Sequence, residues 1–225
     1  RFPIEEAGDG QRRERRHKVR ALFLSDVHLG TRASKSEKLL DFLRHHEADT
    51  IYLVGDIVDG WRLRARWHWP QAHSDVIGEL FAAATRGARI VYLPGNHDAF
   101  LRDYPGKHFA GIEVAETAIH VAADGRRYVV THGDHLDRAA QVPHRIAAIG
   151  GGLNAALFAL SDRWNRARMA VGLPGWSLSQ WARRRVKEGI DYLGRFEREI
   201  AALAADHSAD GVICGHVHHP AMHDR

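Results

Sequence analysis

The chain has 225 residues, 44% of them apolar and 27% charged, a balance that excludes disordered, collagenous and fibrous proteins and suits one large domain or a domain with a sizeable insertion. The single cysteine, Cys214, excludes an internal disulfide framework and is compatible with a reducing compartment, the cytoplasm. The formal charge of +4 arises from 32 basic and 28 acidic residues, and 27 of the basic ones are arginines; this suits an anionic partner and follows equally from GC-rich coding.

Residues 1–18, basic through Arg12, Arg13, Arg15, Arg16 and Lys18 and lacking a signal-type apolar segment, read as a solvated arm before a domain spanning 19–225. Val19 to Leu24 is apolar apart from Arg20 and ends at Ser25-Asp26-Val27-His28, the pattern of a buried strand that delivers polar groups at its carboxyl end. Ser34 followed by Glu37 has capping-box spacing, which predicts a helix with Leu39, Leu40 and Leu43 as its apolar stripe. A second strand, Thr50 to Val54, ends at Gly55-Asp56. In the loop beginning at Trp61, Arg62, Arg64 and Arg66 alternate and would present a basic edge if extended, or a plain solvated one. Val76, Ile77, Leu80, Phe81 and Ala84 give a second helical face, followed by strand Ala88 to Leu93 and the turn Pro94-Gly95-Asn96-His97-Asp98. This alternation predicts parallel strands joined by crossover helices, an α/β fold.

Tyr128 to Thr131 reads as a strand ending at His132-Gly133-Asp134, and Gly211 to Cys214 as one ending at Gly215-His216-Val217-His218. Five strand ends therefore carry polar clusters, and in open α/β sheets the ligand crevice lies at such ends. Between them, residues at about 138–205 read as a helical insertion packing over the crevice. From Arg138 to Ile200 it holds 11 basic residues against 5 acidic ones. Its charge-free stretch, Ile146 to Ser161, has 16 residues and three consecutive glycines, short of the roughly 20 residues of a spanning helix.

Asp, Asn and His without cysteine suit borderline-hard divalent ions such as Mn²⁺, Fe²⁺ or Zn²⁺ and exclude a thiolate-rich structural zinc site. Two such ions about 3.5–4 Å apart can activate a hydroxide and stabilise both oxygens of an in-line phosphoryl displacement. A bridging carboxylate is then required, and Asp56 is the candidate.

The blocks Ser25-Asp26-Val27-His28, Gly55-Asp56-Ile57-Val58-Asp59, Gly95-Asn96-His97-Asp98, His132-Gly133-Asp134 and Gly215-His216-Val217-His218 together resemble the calcineurin-like metallophosphoesterases over roughly residues 19 to 219. The resemblance implies a β-sandwich flanked by helices, with a helical lid. It implies that Asp26, His28, Asp56 and His218 hold one metal and that Asp56, Asn96, His132 and His216 hold the other, Mn²⁺ being the first expectation for both. His97 then donates a hydrogen bond or proton to a phosphoryl or leaving oxygen, with Asp98 orienting its ring and Asn96 also touching substrate. Asp134 is expected to orient His132.

Within the family, the strand-end order, the insertion and the Trp61-bearing segment most resemble the UDP-2,3-diacylglucosamine diphosphatases. That resemblance implies hydrolysis of the pyrophosphate to UMP and 2,3-diacylglucosamine 1-phosphate, at the inner membrane surface and without a nucleic-acid partner. Leu153, Leu157, Phe158, Leu160, Trp164, Met169, Leu173, Trp176 and Trp181 would line an acyl groove or form the core of the lid. Arg183, Arg184, Arg185 and Lys187 would meet phosphate or anionic headgroups, or solvent. At His97 the chain resembles the general phosphoesterase pattern, since the best-known diphosphatase branch has arginine there. The chain ends soon after the last block, where the resemblance implies a further hairpin. A soluble nucleotide, a cyclic diester or a phosphoprotein is the alternative substrate, and a non-catalytic metal-binding scaffold the alternative of another class.

Overall fold

Strand β1 (His17–Leu24) begins two residues before its apolar run, so His17 and Lys18 belong to it and not to the basic arm. The computed structural model describes residues 16–139, 194, 196–218 and 222. Helix α1 (Ser36–His45) buries Leu40 and Leu43 as its stripe predicts, but it starts later than the capping box requires. Lys35 stands at the N-cap with no side-chain hydrogen bond, and the Ser34 hydroxyl is buried without a partner. β2 (His46–Val54) starts four residues before the predicted strand and follows α1 directly. Its polar first residues are drawn into the sheet by parallel pairing with β1, from His17 opposite His46 to Leu24 opposite Leu53.

The segment after Asp59 is not extended. It forms a short helix, α2 (Gly60–Ala65), capped by the Asp59 side chain accepting from the Arg62 amide. Arg62 and Arg64 lie within α2, and Arg66 follows as its C-cap in extended backbone. α3 (Gln71–Thr85) buries Val76 and Leu80; Phe81, predicted on the same face, is 39% exposed. β3 (Arg89–Leu93) follows. Three strands had no counterpart in the sequence reading: β4 (His108–Phe109), β5 (Ile112–Val114) and β6 (Ala118–Val121). They are two to four residues long, too short for a period to register. β7 (Arg127–Val130) and β8 (Gly211–Ile213) complete the set.

The strands form a five-stranded sheet in the order β1-β2-β3-β5-β4 and a three-stranded sheet in the order β6-β7-β8. Period-two alternation sorts the side chains of the larger sheet. Ile51, Leu53, Ile90 and Leu22 face α1 and α3, whereas Tyr52, Val54, Val91, Leu93, Ala21 and Phe23 pack with Val130, Ala118 and Ile213 of the smaller sheet. Leu53, Ile90 and Leu93 are at most 1% exposed, each burial stabilising by roughly 2 kcal/mol.

The chain divides into two units, Arg1–Asp134 with Ala209–Arg225, and His135–Ser208. All the labelled strands and helices lie in the first. The expected insertion, with Arg183 and Lys187, falls almost wholly outside the described residues, of which 196–206 are helical. Among the described residues, no helix is long and apolar enough to cross a membrane.

Candidate metal centre

Two ligand-bearing loops are joined where β1 and β2 end. The Asp26 amide donates to the Gly55 carbonyl, the His28 amide to Asp56 and the Leu29 amide to Ile57, and Leu29 forms an isolated parallel bridge with Val58. The ladder thus continues past the strands in a bent form that turns side chains inward. Asp26, His28, Asp56, His216 and His218 all have φ between +50° and +73°, and only two other described non-glycine residues share that left-handed region. Such backbone costs of order 1 kcal/mol or more at each residue, and it concentrates at functional sites. Here it lets Asp26 and His28, and likewise His216 and His218, present side chains from alternate positions of one short loop.

These side chains converge. Asp26, His28 and His218 form one group able to hold a metal ion, Asp26, Asp56 and His132 a second, and His28, Asp59 and His97 a third. His218 Nε2 lies 3.2 Å from Asp26 Oδ1 and 3.4 Å from His28 Nε2. Asp56 Oδ2 lies 3.5 Å from His132 Nε2, 3.8 Å from His28 Nε2 and 3.9 Å from His97 Nε2. The His216 ring packs edge-on against His132 with centroids 5.3 Å apart. The two segments are also tied through Asp26, whose Oδ2 accepts from the Ser25 hydroxyl and, at 3.2 Å, from the His216 amide.

Glycines make the approach possible. A Cβ on Gly95 would overlap Asp56 Oδ1 and the His132 ring, and one on Gly215 would overlap the Ser25 hydroxyl and Asp26.

The electrostatics couple Asp56 and His132. Burial alone would raise the Asp56 pKa, but the His132 ring and the His97 amide, which donates to Oδ1 at 2.8 Å, hold it down at about 2. For His132, burial would lower the pKa, and the Asp56 carboxylate reverses this and raises it. Its Nδ1 lies 3.0 Å from the Val54 carbonyl, which fixes the proton there and turns Nε2 toward Asp56. Burial lowers the pKa of His28, keeping that imidazole neutral. Burial, with Asp26 nearby, raises the Cys214 thiol to about 11, so it stays protonated.

The fit to cations shows in what is left unsatisfied. Among described residues, five buried side-chain polar atoms make no hydrogen bond, and four belong here: Asn96 Oδ1, and Asp26 Oδ1, His97 Nδ1 and His132 Nε2, whose nearest charged neighbours at 3.2, 3.0 and 3.5 Å are ion-pair contacts without hydrogen-bond geometry. Buried polar atoms are rarely orphaned, and a cluster of oxygen and imidazole nitrogen donors is what divalent ions of the Mn²⁺, Fe²⁺ or Zn²⁺ type require.

Two positions differ from expectation. Asp98 does not face the His97 ring. It is fully buried, and its carboxylate accepts from the Ile57 amide at 2.8 Å, the Val58 amide at 3.4 Å, the Gly95 amide at 2.6 Å and the Tyr92 hydroxyl at 2.6 Å. Asp98 therefore clamps the two loops. The carboxylate beside His97 is Asp59, 2% exposed, with Oδ1 3.0 Å from His97 Nδ1 and Oδ2 3.4 Å from His28 Nδ1. Asp134, expected behind His132, instead pairs with Arg102 at 2.7 Å, and the same guanidinium nitrogen donates to the Pro94 carbonyl. The carbonyl of Val54, the last residue of β2, takes the place behind His132 and also accepts from the Ser25 hydroxyl at 2.7 Å.

Asp59 was legible as the second acid of Gly55-Asp56-Ile57-Val58-Asp59, but nothing in the spacing said which His it faces. His73 gave no signal: from α3, 1% exposed, its Nδ1 accepts from the Gly30 amide and steadies the loop that carries His28. Arg183 and Lys187 lie outside the described residues.

Several known proteins are similar to this chain. A UDP-2,3-diacylglucosamine hydrolase of Xanthomonas campestris pv. campestris is 28% identical over 215 residues, 90% of this chain and 83% of its own. A protein of the same name from Stenotrophomonas maltophilia is 27% identical over 214 residues, with the same coverage. Another from Porphyromonas gingivalis is 33% identical over 119 residues, 50% of this chain and 45% of its own. The solved Pseudomonas putida nuclease MPE overlaps 42% of this chain and 46% of its own at 25% identity and a TM-score of 0.28, too partial an overlap to inform fold or substrate. The family model of the calcineurin-like phosphoesterases matches residues 19–220, a span that takes in both sheets and every ligand loop, and the chain belongs to that family of metal-dependent phosphoesterases.

Proposed function

We propose that the protein hydrolyses the pyrophosphate bond of UDP-2,3-diacylglucosamine to UMP and 2,3-diacylglucosamine 1-phosphate, with two divalent ions, Mn²⁺ first among them. Asp26, His28, Asp56 and His218 would hold one ion, and Asp56, Asn96, His132 and His216 the other. The observation that carries the reading is that four left-handed residues, Asp26, His28, Asp56 and His218, fall together with His132 into groups able to hold a metal ion. The names of the relatives supply the substrate. When bound, such a pair of ions supplies a nucleophile at neutral pH and neutralises charge on the phosphoryl oxygens.

The residues divide the remaining work. Asp56 is held ionised and is central among His132, His28 and His97. His97 sits at the cavity edge, held between Asp59 at 3.0 Å and the Trp61 ring at a centroid distance of 4.3 Å. Held so, it is the group to give a proton or hydrogen bond to the departing oxygen, with Asp59 as the positioning carboxylate and Asn96 as a further contact to the phosphoryl group. The insertion at about 138–205, with Arg183 and Lys187, would cover the acyl chains and meet anionic headgroups at the inner membrane surface.

Hydrolysis of UDP-2,3-diacylglucosamine by the metal-loaded chain, beside a chromogenic diester, tests the reading. Turnover of the lipid substrate supports it. Turnover of the diester alone assigns a soluble phosphate ester instead, and two bound metals with no turnover of either leaves a scaffold.

A further inference from the structure

A cavity of about 1130 Å³ opens from the metal centre. On one side it is lined by Asp26, His28, Asp59, His97 and His218. Beyond them it is lined by Arg32 and Lys35, from the turn between β1 and α1, by Arg62 of α2 and by Arg66 at the C-cap of that helix. Among the described residues the only carboxylates in the lining are Asp26 and Asp59, both committed to the metal centre.

The four cations are set apart by standing around one cavity without a carboxylate partner; Arg20, Lys38, Arg44, Arg64, Lys107 and Arg127 also lack one among the described residues but do not line it. Arg16, Lys18, Arg86, Arg89, Arg102 and Arg126 each meet a carboxylate within 3.0 Å. Among the described residues Arg32, Lys35, Arg62 and Arg66 have no such contact, although they lie around one cavity. Like charges gathered so repel one another, and an anion among them removes that cost while taking bidentate hydrogen bonds from the guanidinium groups. The cavity also far exceeds the space of the single phosphoryl group that the metal centre would engage. Apolar Leu24, Val27, Leu39 and Trp67 complete the wall.

We propose that Arg32, Lys35, Arg62 and Arg66 form a subsite for a second phosphoryl group of the same substrate, so that the site selects phosphoanhydrides over single phosphate esters. The proposal deepens the function above and rests on its premise that the metal centre engages phosphorus. The acylated sugar is not needed for it.

The test is calorimetric titration of the full metal-loaded chain with UDP and with UMP, the metal in excess over nucleotide. The expected result is UDP binding at least tenfold tighter than UMP. In Arg62→Ala/Arg66→Ala and in Arg32→Ala/Lys35→Ala, UDP affinity should fall at least tenfold and UMP affinity less than threefold. Arg64→Ala, at a residue that does not line the cavity, should leave the UDP preference intact. Equal binding of UDP and UMP by the unaltered chain, or equal loss of both in the double variants, overturns the subsite. If the lipid substrate is not turned over while the UDP preference holds, the lipid assignment falls and the subsite stands.

Discussion

Asp98 and Asp56 are equally hidden from solvent, at 0% and 2% exposure, yet their surroundings are opposite. Around Asp98 three backbone amides and the Tyr92 hydroxyl close on the carboxylate. Burial and the negative charge of Asp98 raise the Tyr92 pKa well above its usual value, so the phenol remains a donor. Around Asp56 one amide donates, and the rest of the neighbourhood is imidazoles at 3.5 to 3.9 Å and donor atoms that make no hydrogen bond. One carboxylate completes its own region; the other is completed from outside. Burial of an acid therefore says little about its role until its donors are counted.

The largest contrast is expected from Asp56→Asn. Phosphodiester turnover should fall at least about a thousandfold and bound metal should drop, while the thermal midpoint holds or rises, because a buried charge is removed. Retained turnover at full metal content would break the comparison. His97→Gln should lower kcat by about a hundredfold or more with metal content unchanged, as measured by elemental analysis beside steady-state kinetics. Asp98→Ala should act the other way round, costing about 3 kcal/mol in denaturant titrations by stranding several buried donors. A selective loss of kcat at unchanged stability would instead return Asp98 to the His97 ring.

Glu79 sharpens the comparison at the weak end. It is a second saturated carboxylate, in which burial, raising the pKa, is outweighed by Arg16 at 2.7 Å and Arg86 at 2.9 Å, which lower it. Its folded pKa lies below the ordinary value of 4.5, so its contribution is complete above that value and drains away as pH falls through the lowered one. Glu79→Gln should therefore cost no more than about 1 kcal/mol at pH 7 and nothing near pH 2. A loss that persists in acid would point to packing instead of charge.

The strand ends were legible because each apolar run stops at a polar block, and the wall of a cation site needs both. Gly95 and Gly215 could be read as turn residues, but their true constraint, ring and carboxylate atoms where a Cβ would stand, exists only in three dimensions. Adjacency to His97 in sequence suggests that Asp98 orients its ring, yet the Asp98 carboxylate points the other way and Asp59 arrives from a different loop. The alternation of Arg62, Arg64 and Arg66 suits an extended edge, whereas Asp59 caps a helix that takes in Arg62 and Arg64 and leaves only Arg66 extended. β4, β5 and β6 are held by their neighbours and carry too few residues to announce themselves.

The left-handed dihedrals at Asp26, His28, Asp56, His216 and His218 set conflicting demands on one residue: the backbone would be most at ease with no side chain, and the chemistry cannot do without one. Asparagine tolerates that conformation and resembles aspartate in outline, so it can mute a charge while leaving the loop in place. Valine or threonine at the same sites would unseat loop and donor together. The mutational landscape of the centre should accordingly be graded by backbone tolerance first and by affinity for cations second.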